Sequence, residues 1–418
     1  MAASNPDFLL DSYRVLDLTD ERGLICGKIL GDLGADVIQV EPPGGSTARQ
    51  IGPYHRDQVH REKSLFWWAY AANKRGITLD IHTSDGRHML KSLLKDAQFL
   101  IESFSPGYLG TLGLGYDNLA AINPGLVMVS ITPFGQDGPY AHYRATDIVG
   151  MAMGGFMYLT GDSDRPPLRV SFPHFYLHGG AAGAMGALLA HTHRTATGEG
   201  QHVDVSCQQA VAKTLAHAPQ NWDVEKVILK RQGPYRQTGS DTHVRINWPC
   251  KDGYVNFMPQ GGSIAGSTRA LLAWMDEEGL GDDYLGQVNW EELGYGEVKA
   301  EVMERCVAPL ERFFVAHTRA ELTAGSLERR ILMFPVATPS DIMSHPQLEA
   351  RDYFQELPHP ELDAPVTYEG AFVKTNGAQR VGIRRRAPLI GEHNREIYVD
   401  ELGLSHNDLA TLRRGGAV

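Results

Sequence analysis

The sequence predicts an α/β protein: a mostly parallel sheet covered by helices, followed by a smaller α+β region. Three observations carry this. Strand-like and helix-like segments alternate through the first half of the chain, as in repeated βαβ units. With 418 residues, the chain is long enough for two or three domains, and 42% hydrophobic residues support sizeable cores. After residue 201 the character changes to paired short strands and amphipathic helices.

The elements follow in order. Residues 13–19 (YRVLDLT) are a short apolar run of β-formers and give the first strand; 27–33 give a helix; 36–41 (DVIQVE) give the second strand, stopped by Pro42-Pro43-Gly44-Gly45. The pattern repeats, with strand-like residues 76–79, an amphipathic helix at 85–94, a strand at 99–102, a helical or turn-like stretch at 108–119 and a strand at 126–131. Residues 179–190 are almost entirely Gly, Ala, Leu and Met. Side chains that small let a helix approach other backbone closely, so a buried helix is expected there, its Gly pair leaving N-terminal N–H groups open to an anion. The loop at 171–178 would then stand beside that helix start, and it holds no Asp, Glu, Cys or Lys. A polar turn at 197–201 leads into HVDVS at 202–206, whose period-two alternation marks a strand. Beyond a helix at 208–218, residues 226–242 read as a linker or flap. Two antiparallel strands follow at 244–257 around Lys251-Asp252-Gly253, then helices at 267–278, 297–316 and 319–328 and a strand at 330–337. Loops and short strands fill 340–388, and a last helix runs from 407 to 414.

Composition excludes several function classes. A net charge of −11 argues against general nucleic-acid binding. The four cysteines show no CxxC spacing, so neither a metal site nor a disulfide framework is expected, and free thiols suit a reducing cytosol. No apolar run approaches the ~20 residues of a membrane span, and no leader pattern is expected at the N-terminus. The first strand is followed by DERGLICGKI, which lacks the GxGxxG of nicotinamide sites, and no GxxxxGK[ST] stretch occurs.

Six motifs along nearly the whole chain carry a resemblance. They are RVLDLT at 14–19, GKILGDLGADVIQVEPPGG at 27–45, NKRGITLDI at 73–81, FLIESFSPGYLGTLGLGYDNLAAINPGLVMVSITPFGQDGPY at 99–140, TGEGQHVDVS at 197–206 and APLIGEH at 387–393. In this order and spacing the chain resembles the class III CoA-transferase family. The resemblance implies a Rossmann-like large domain made of residues 1–225 and a return segment at 341–418, with a small α+β domain at 226–340 between them. It also implies two chains interlocked as a dimer, and coenzyme A or its thioesters as ligand.

The family nucleophile is an Asp carboxylate, which attacks the acyl thioester and then carries CoA as an enzyme thioester, while backbone N–H groups stabilise the oxyanions. The resemblance places this Asp four positions ahead of a glycine; with Gly180 or Gly179 in that role, Tyr176 or Phe175 stands there instead. A phenol, with an ordinary pKa of about 10, forms no equivalent anhydride. In the racemase branch a His precedes a conserved Asp; here Thr146 precedes Asp147.

For CoA contacts the resemblance points to Lys74 and Arg75, to Ser103 and Phe104 at a strand's C-terminal end, to Arg144 and to Arg22. Thr111 and Pro42 stand where other members carry basic residues, and Gly239-Ser240 where they carry a glycine flap. The other reading of Lys74 and Arg75 is a solvated pair, of Ser103-Phe104 a turn before Pro106, of Asp147 a structural carboxylate, and of His174 and His178 hydrogen-bonded structural residues.

The expectation is a nucleophile-less subunit, catalytic residues absent, partnered by a homologous chain that keeps the Asp. The resemblance is greatest to heteromeric members such as benzylsuccinate CoA-transferase, with succinyl-CoA as donor and an organic acid such as benzylsuccinate as acceptor. The alternatives are an active homodimeric CoA-transferase or acyl-CoA isomerase using Asp147, Asp162, Asp164 or His178, and a CoA-binding or assembly protein without turnover.

Overall fold

A computed structural model of the chain describes residues 7–237, 243–293, 299–377 and 380–418. It resolves into two compact units. The first holds residues up to Gly154, Ser171–Thr214 and Pro346–Val418; the second holds Gly155–Val170 and Leu215–His345. The sequence reading had placed boundaries at 225 and 340 and had no reason to separate 155–170 from the residues around it.

The first unit is built on a six-stranded sheet: β1 (Arg14–Asp17), β2 (Asp36–Glu41), β3 (Lys74–Thr78), β4 (Phe99–Glu102), β5 (Val127–Thr132) and β6 (His202–Ser206). The order is β3-β2-β1-β4-β5-β6, and every neighbouring pair is parallel. Every residue of β3, β4 and β5 is buried. Burial on both faces is what helix-covered parallel strands require, and it explains the largely apolar runs of β4 and β5. The strand order runs outward in opposite directions from β1 and β4, which makes the C-terminal ends of these two strands the topological switch point.

The crossovers are α1 (Leu24–Asp32), α2 (Leu65–Ala71), α3 (Ser84–Leu94), the short α4 (Tyr108–Thr111) and α5 (Tyr116–Ala120), α6 (Asp147–Met153) and α7 (Phe175–Thr197), and α8 (Cys207–Thr214) follows the last strand. Ser64 and Thr83 cap α2 and α3 through their side-chain oxygens.

Helix α7 spans 23 residues, longer than the 179–190 core expected from its small residues. The extension has a cause outside the segment. Asp147 Oδ1 accepts the N–H groups of His174 and Phe175, at 2.7 and 2.9 Å, and so starts the helix four residues before the Gly pair. Tyr176 and His178 are therefore helical, not loop residues, and the Gly pair lies inside the helix with no open N-terminal N–H groups. The small residues do serve close packing: a Cβ on Gly179 would lie 2.2 Å from Cys207 Sγ, and one on Gly180 2.4 Å from Ile25 Cγ2.

β3 is an edge strand, and the return segment covers it. His393 and Gly76 exchange hydrogen bonds, Gly76 N–H to His393 Nδ1 at 3.1 Å and His393 N–H to the Gly76 carbonyl at 3.0 Å. Thr78 N–H donates to Asn394 Oδ1 at 2.9 Å. The Pro388 carbonyl accepts from Arg49 at 2.9 Å and from Trp67 Nε1 at 3.0 Å. The APLIGEH motif is thus the clasp of the large unit.

The second unit contains a three-stranded antiparallel sheet of Asn247–Cys250, Gly253–Phe257 and Met333–Pro335. Helices Ala265–Glu277, Ala300–Ala316 and Arg319–Arg329 accompany it. A core of Trp248, Phe257, Trp274, Phe313 and Phe314 fills its interior. The expected hairpin at 244–257 is present, while the expected strand at 330–337 shortens to three residues. Among the described residues no helix is long and apolar enough to cross a membrane, and no cluster of His, Cys, Asp and Glu could hold a metal ion. All four cysteines are buried free thiols.

Candidate active site

The loops leaving the C-terminal ends of β1 to β4 enclose a cleft of about 210 Å³. Thr19, Asp20 and Arg22 line it from the loop after β1, Pro42 and Ser46 from the loop after β2, Asp80 and His82 from the loop after β3, and Ser103 and Phe104 from the loop after β4. This is where open α/β sheets bind ligands. Its floor is apolar, from Leu18, Val40, Leu79 and Ile81.

Each wall is held in place. Arg22 binds the Asp20 carboxylate side-on, Nε to Oδ1 at 2.8 Å and a terminal nitrogen to Oδ2 at 2.5 Å. Burial works against the guanidinium charge, but Asp20 outweighs it and holds the pKa above the ordinary arginine value. Ser103 Oγ donates to Asp20 Oδ1 at 3.2 Å and accepts the Asp20 N–H at 3.4 Å, joining the loops of β1 and β4 across the switch point. Phe104 N–H donates to Glu102 Oε2 at 2.7 Å. The Phe104 ring lies 5.2 Å from that of Tyr108, whose hydroxyl sits 2.6 Å from His82 Nε2. His82 is exposed and paired through Nδ1 with Asp80.

Tyr176 stands at the edge of this arrangement, within the electrostatic reach of Arg22, Asp20 and Cys207. Its hydroxyl donates to the Ala145 carbonyl at 2.7 Å. Burial, then the field of Cys207, pushes the phenol pKa up, so the group stays protonated at neutral pH. Burial likewise pushes the Cys207 thiol up to about 12, which removes it as a nucleophile.

The other expected residues divide sharply. Lys74 is fully buried: its Nζ lies 2.7 Å from Asp17 Oδ2 and 2.9 Å from both Gln39 Oε1 and the Leu24 carbonyl. Arg75 is bound to Asp36, Glu396 and Glu401. Neither reaches the cleft, so the phosphate role expected for the pair is replaced by a structural one; nor are they the solvated pair of the other reading. Asp147 is committed to starting α7. His178, half-buried on α7, is pushed down by burial and by His174, whose ring lies 6.2 Å away. Arg144 is exposed, one residue before the carbonyl that receives the Tyr176 hydroxyl. Thr111 hydrogen-bonds back onto Tyr108 in α4. Asp162 and Asp164 belong to the second unit, Asp162 within 3.9 Å of Arg165. Gly239 and Ser240 lie outside the described residues.

The cleft lining includes the expected Arg22, Ser103 and Phe104 beside Asp20 and His82, which the sequence reading does not name, and Tyr108 packs on Phe104. A usable signal is present for His82, which stands in the short loop after the third strand, four residues beyond Thr78.

The geometry can be set beside known proteins. A family model described as CoA-transferase family III matches residues 10–394. The chain is 36% identical to succinyl-CoA:(R)-benzylsuccinate CoA-transferase subunit BbsE of Thauera aromatica, over 97% of each chain. It is 31% identical to succinyl-CoA–D-citramalate CoA-transferase of Chloroflexus aurantiacus, over 99% of each. Among solved structures, a CAIB/BAIF family protein from Brucella suis superposes with a TM-score of 0.80 at 27% identity, covering 94% of this chain and 99% of that one. The chain belongs to CoA-transferase family III, enzymes that pass CoA from an acyl thioester to an organic acid.

Proposed function

We propose that this chain is the nucleophile-less subunit of a heteromeric class III CoA-transferase. It works beside a homologous subunit that supplies the catalytic Asp. The observation that carries the reading is Tyr176: the position that resemblance assigns to the carboxylate holds a phenol, tied to the Ala145 carbonyl and kept protonated by burial. In the transfer, a carboxylate oxygen attacks the thioester carbonyl and expels CoA as thiolate, giving a mixed anhydride. The thiolate then attacks the enzyme's own carbonyl, releasing the donor acid and leaving an enzyme–CoA thioester. A neutral phenol offers neither the charge for the first step nor the acyl group for the second. Asp147, the carboxylate bonded to the first turn of α7, is occupied there. Two relatives bear names that speak for such assemblies: BbsE is a named subunit, and the succinyl-CoA–L-malate CoA-transferase of Chloroflexus aurantiacus, at 28% identity, is represented by its beta subunit.

In this reading the switch-point cleft holds acyl-CoA. Arg22 and His82 face the polar part of the ligand, the rings of Phe104 and Tyr108 offer a stacking wall, and exposed Arg144 adds a cation for a phosphate. Succinyl-CoA is the donor class and an organic acid such as benzylsuccinate the acceptor.

The test is transfer activity of the purified chain alone and with a co-expressed homologue. The expected result is no transfer and no hydroxylamine-sensitive CoA adduct on this chain alone, with both appearing when the partner is present and the adduct mapping to the partner. Full transfer by this chain alone, with an adduct on one of its own carboxylates, overturns the reading.

A further inference from the structure

The Glu102 carboxyl group is buried, 4% exposed, at the end of β4, where it joins two hollows. Toward the switch point its Oε2 accepts the N–H of Phe104, which walls the candidate CoA cleft. The carboxyl group also lines a second cavity of about 360 Å³, together with Ser130, His202 and Tyr116. There Ser130 Oγ lies 2.8 Å from His202 Nε2, and the His202 ring stacks on Tyr116 at 5.4 Å with 15° between planes.

We propose that Glu102 is a positioning residue for CoA: its carboxylate fixes the backbone of Phe104, and ionisation of Glu102 tightens the cleft around the ligand. The proposal rests on the reading of that cleft as the CoA site. It does not depend on which subunit carries the nucleophile.

The loop from Ser103 to Gly107 has few other anchors. Ser103 is tied to Asp20, Tyr108 N–H closes onto the Ser105 carbonyl, and Gly107 turns the chain at φ 80°. The Glu102–Phe104 bond is the one that fixes the ring's own peptide group. An ionised acceptor makes that bond shorter and stronger than a neutral carboxyl does.

Groups from every neighbouring element bear on the charge of Glu102. Burial is the largest influence and raises its pKa; Ser130 from β5, the Phe104 N–H and Arg22 oppose this, and Asp20 adds to it. The balance pushes the carboxyl up to about 7. His202, on β6, is itself pushed down by burial against Asp204 and Asp117, and therefore faces Ser130 as a neutral ring near pH 7. The second cavity gives the carboxyl a route for proton exchange that does not cross the ligand.

The experiment is calorimetric titration of CoA into the purified full chain at pH 6.0 and 8.0, for wild type, Glu102→Gln and Glu102→Ala. The Gln variant keeps the shape and an acceptor oxygen but cannot ionise, and comparison with it cancels the ionisation of CoA itself. The expected result is that the wild-type to Gln affinity ratio rises severalfold from pH 6.0 to 8.0. Glu102→Ala should bind about tenfold more weakly than wild type at pH 8.0, with an unchanged circular dichroism spectrum. An identical pH profile in wild type and Gln overturns the proposal, because a merely structural carboxyl would give that result. Absence of CoA binding by the wild type overturns it too, through the cleft assignment, and leaves the Tyr176 reading to its own transfer assay.

Discussion

Two pairs of basic residues in the large unit do opposite work. Lys74 and Arg75 look from sequence like a phosphate grip, yet both are turned inward and matched to carboxylates. Arg22, which the resemblance also points to, and His82, which it does not, both line the cleft. The difference lies in position along the strand. Lys74 and Arg75 begin β3, at the end of the sheet away from the switch point, whereas Arg22 and His82 follow strand C-termini. In a parallel sheet the end on which a residue emerges decides whether its charge meets ligand or core.

The contrast can be broken most severely at Lys74. Lys74→Ala leaves Asp17 buried without its partner and should lower unfolding stability by about 3–5 kcal/mol in denaturant titration. The double variant Lys74→Met with Asp17→Leu should recover much of that loss. If the single variant unfolds like wild type, the interior ion pair is not the anchor described here.

Next in size is the pH dependence set by Glu102. Its pKa is raised in the fold, so the folded protein holds the proton between the ordinary carboxylate range and about 7 while the unfolded chain has lost it. Stability from this group should therefore fall as pH rises through that window and level off above it, by up to about 3 kcal/mol. Thermal melts from pH 5 to 8 should show this slope in wild type and a flatter one in Glu102→Gln.

Smaller still is Tyr176→Phe, which removes the hydrogen bond to the Ala145 carbonyl and should cost about 1 kcal/mol. In the proposed heteromeric assembly, transfer should survive this change. A collapse of kcat in that assay would give the phenol a chemical role and defeat the reading of Tyr176 as a silent occupant.

Smallest in stability is Arg22→Ala, partly exposed and paired with Asp20, which should stay within about 0.5 kcal/mol of wild type. Its effect should appear in CoA affinity, weakened about tenfold by calorimetry. Together with Lys74→Ala it makes a crossed pair: one residue for the fold, one for the ligand.

How much of this was legible in sequence follows from the range of the interactions. β4 and β5 could be read because a strand buried on both faces writes its environment into consecutive residues, and β6 because its polar and apolar residues alternate. The clefts at Ser103 and Phe104 could be read for the same reason, since a strand's end marks them. The start of α7 could not: its cap, Asp147, lies 28 residues before Phe175, and nothing near Phe175 announces it. The fate of Lys74 was hidden likewise, because Asp17 stands 57 residues away and only the register of β1, β2 and β3 brings them together. The departure of residues 155–170 into the second unit has no compositional mark at all.

The clasp at residues 388–394 has a temporal consequence. Gly76 waits for a partner made 317 residues later, so a nascent chain leaving the ribosome carries an open sheet margin for most of its synthesis. Maturation of the large unit is thereby deferred to the last stage of translation, and a chain cut short before the clasp would expose the very margin through which unfinished proteins adhere to one another.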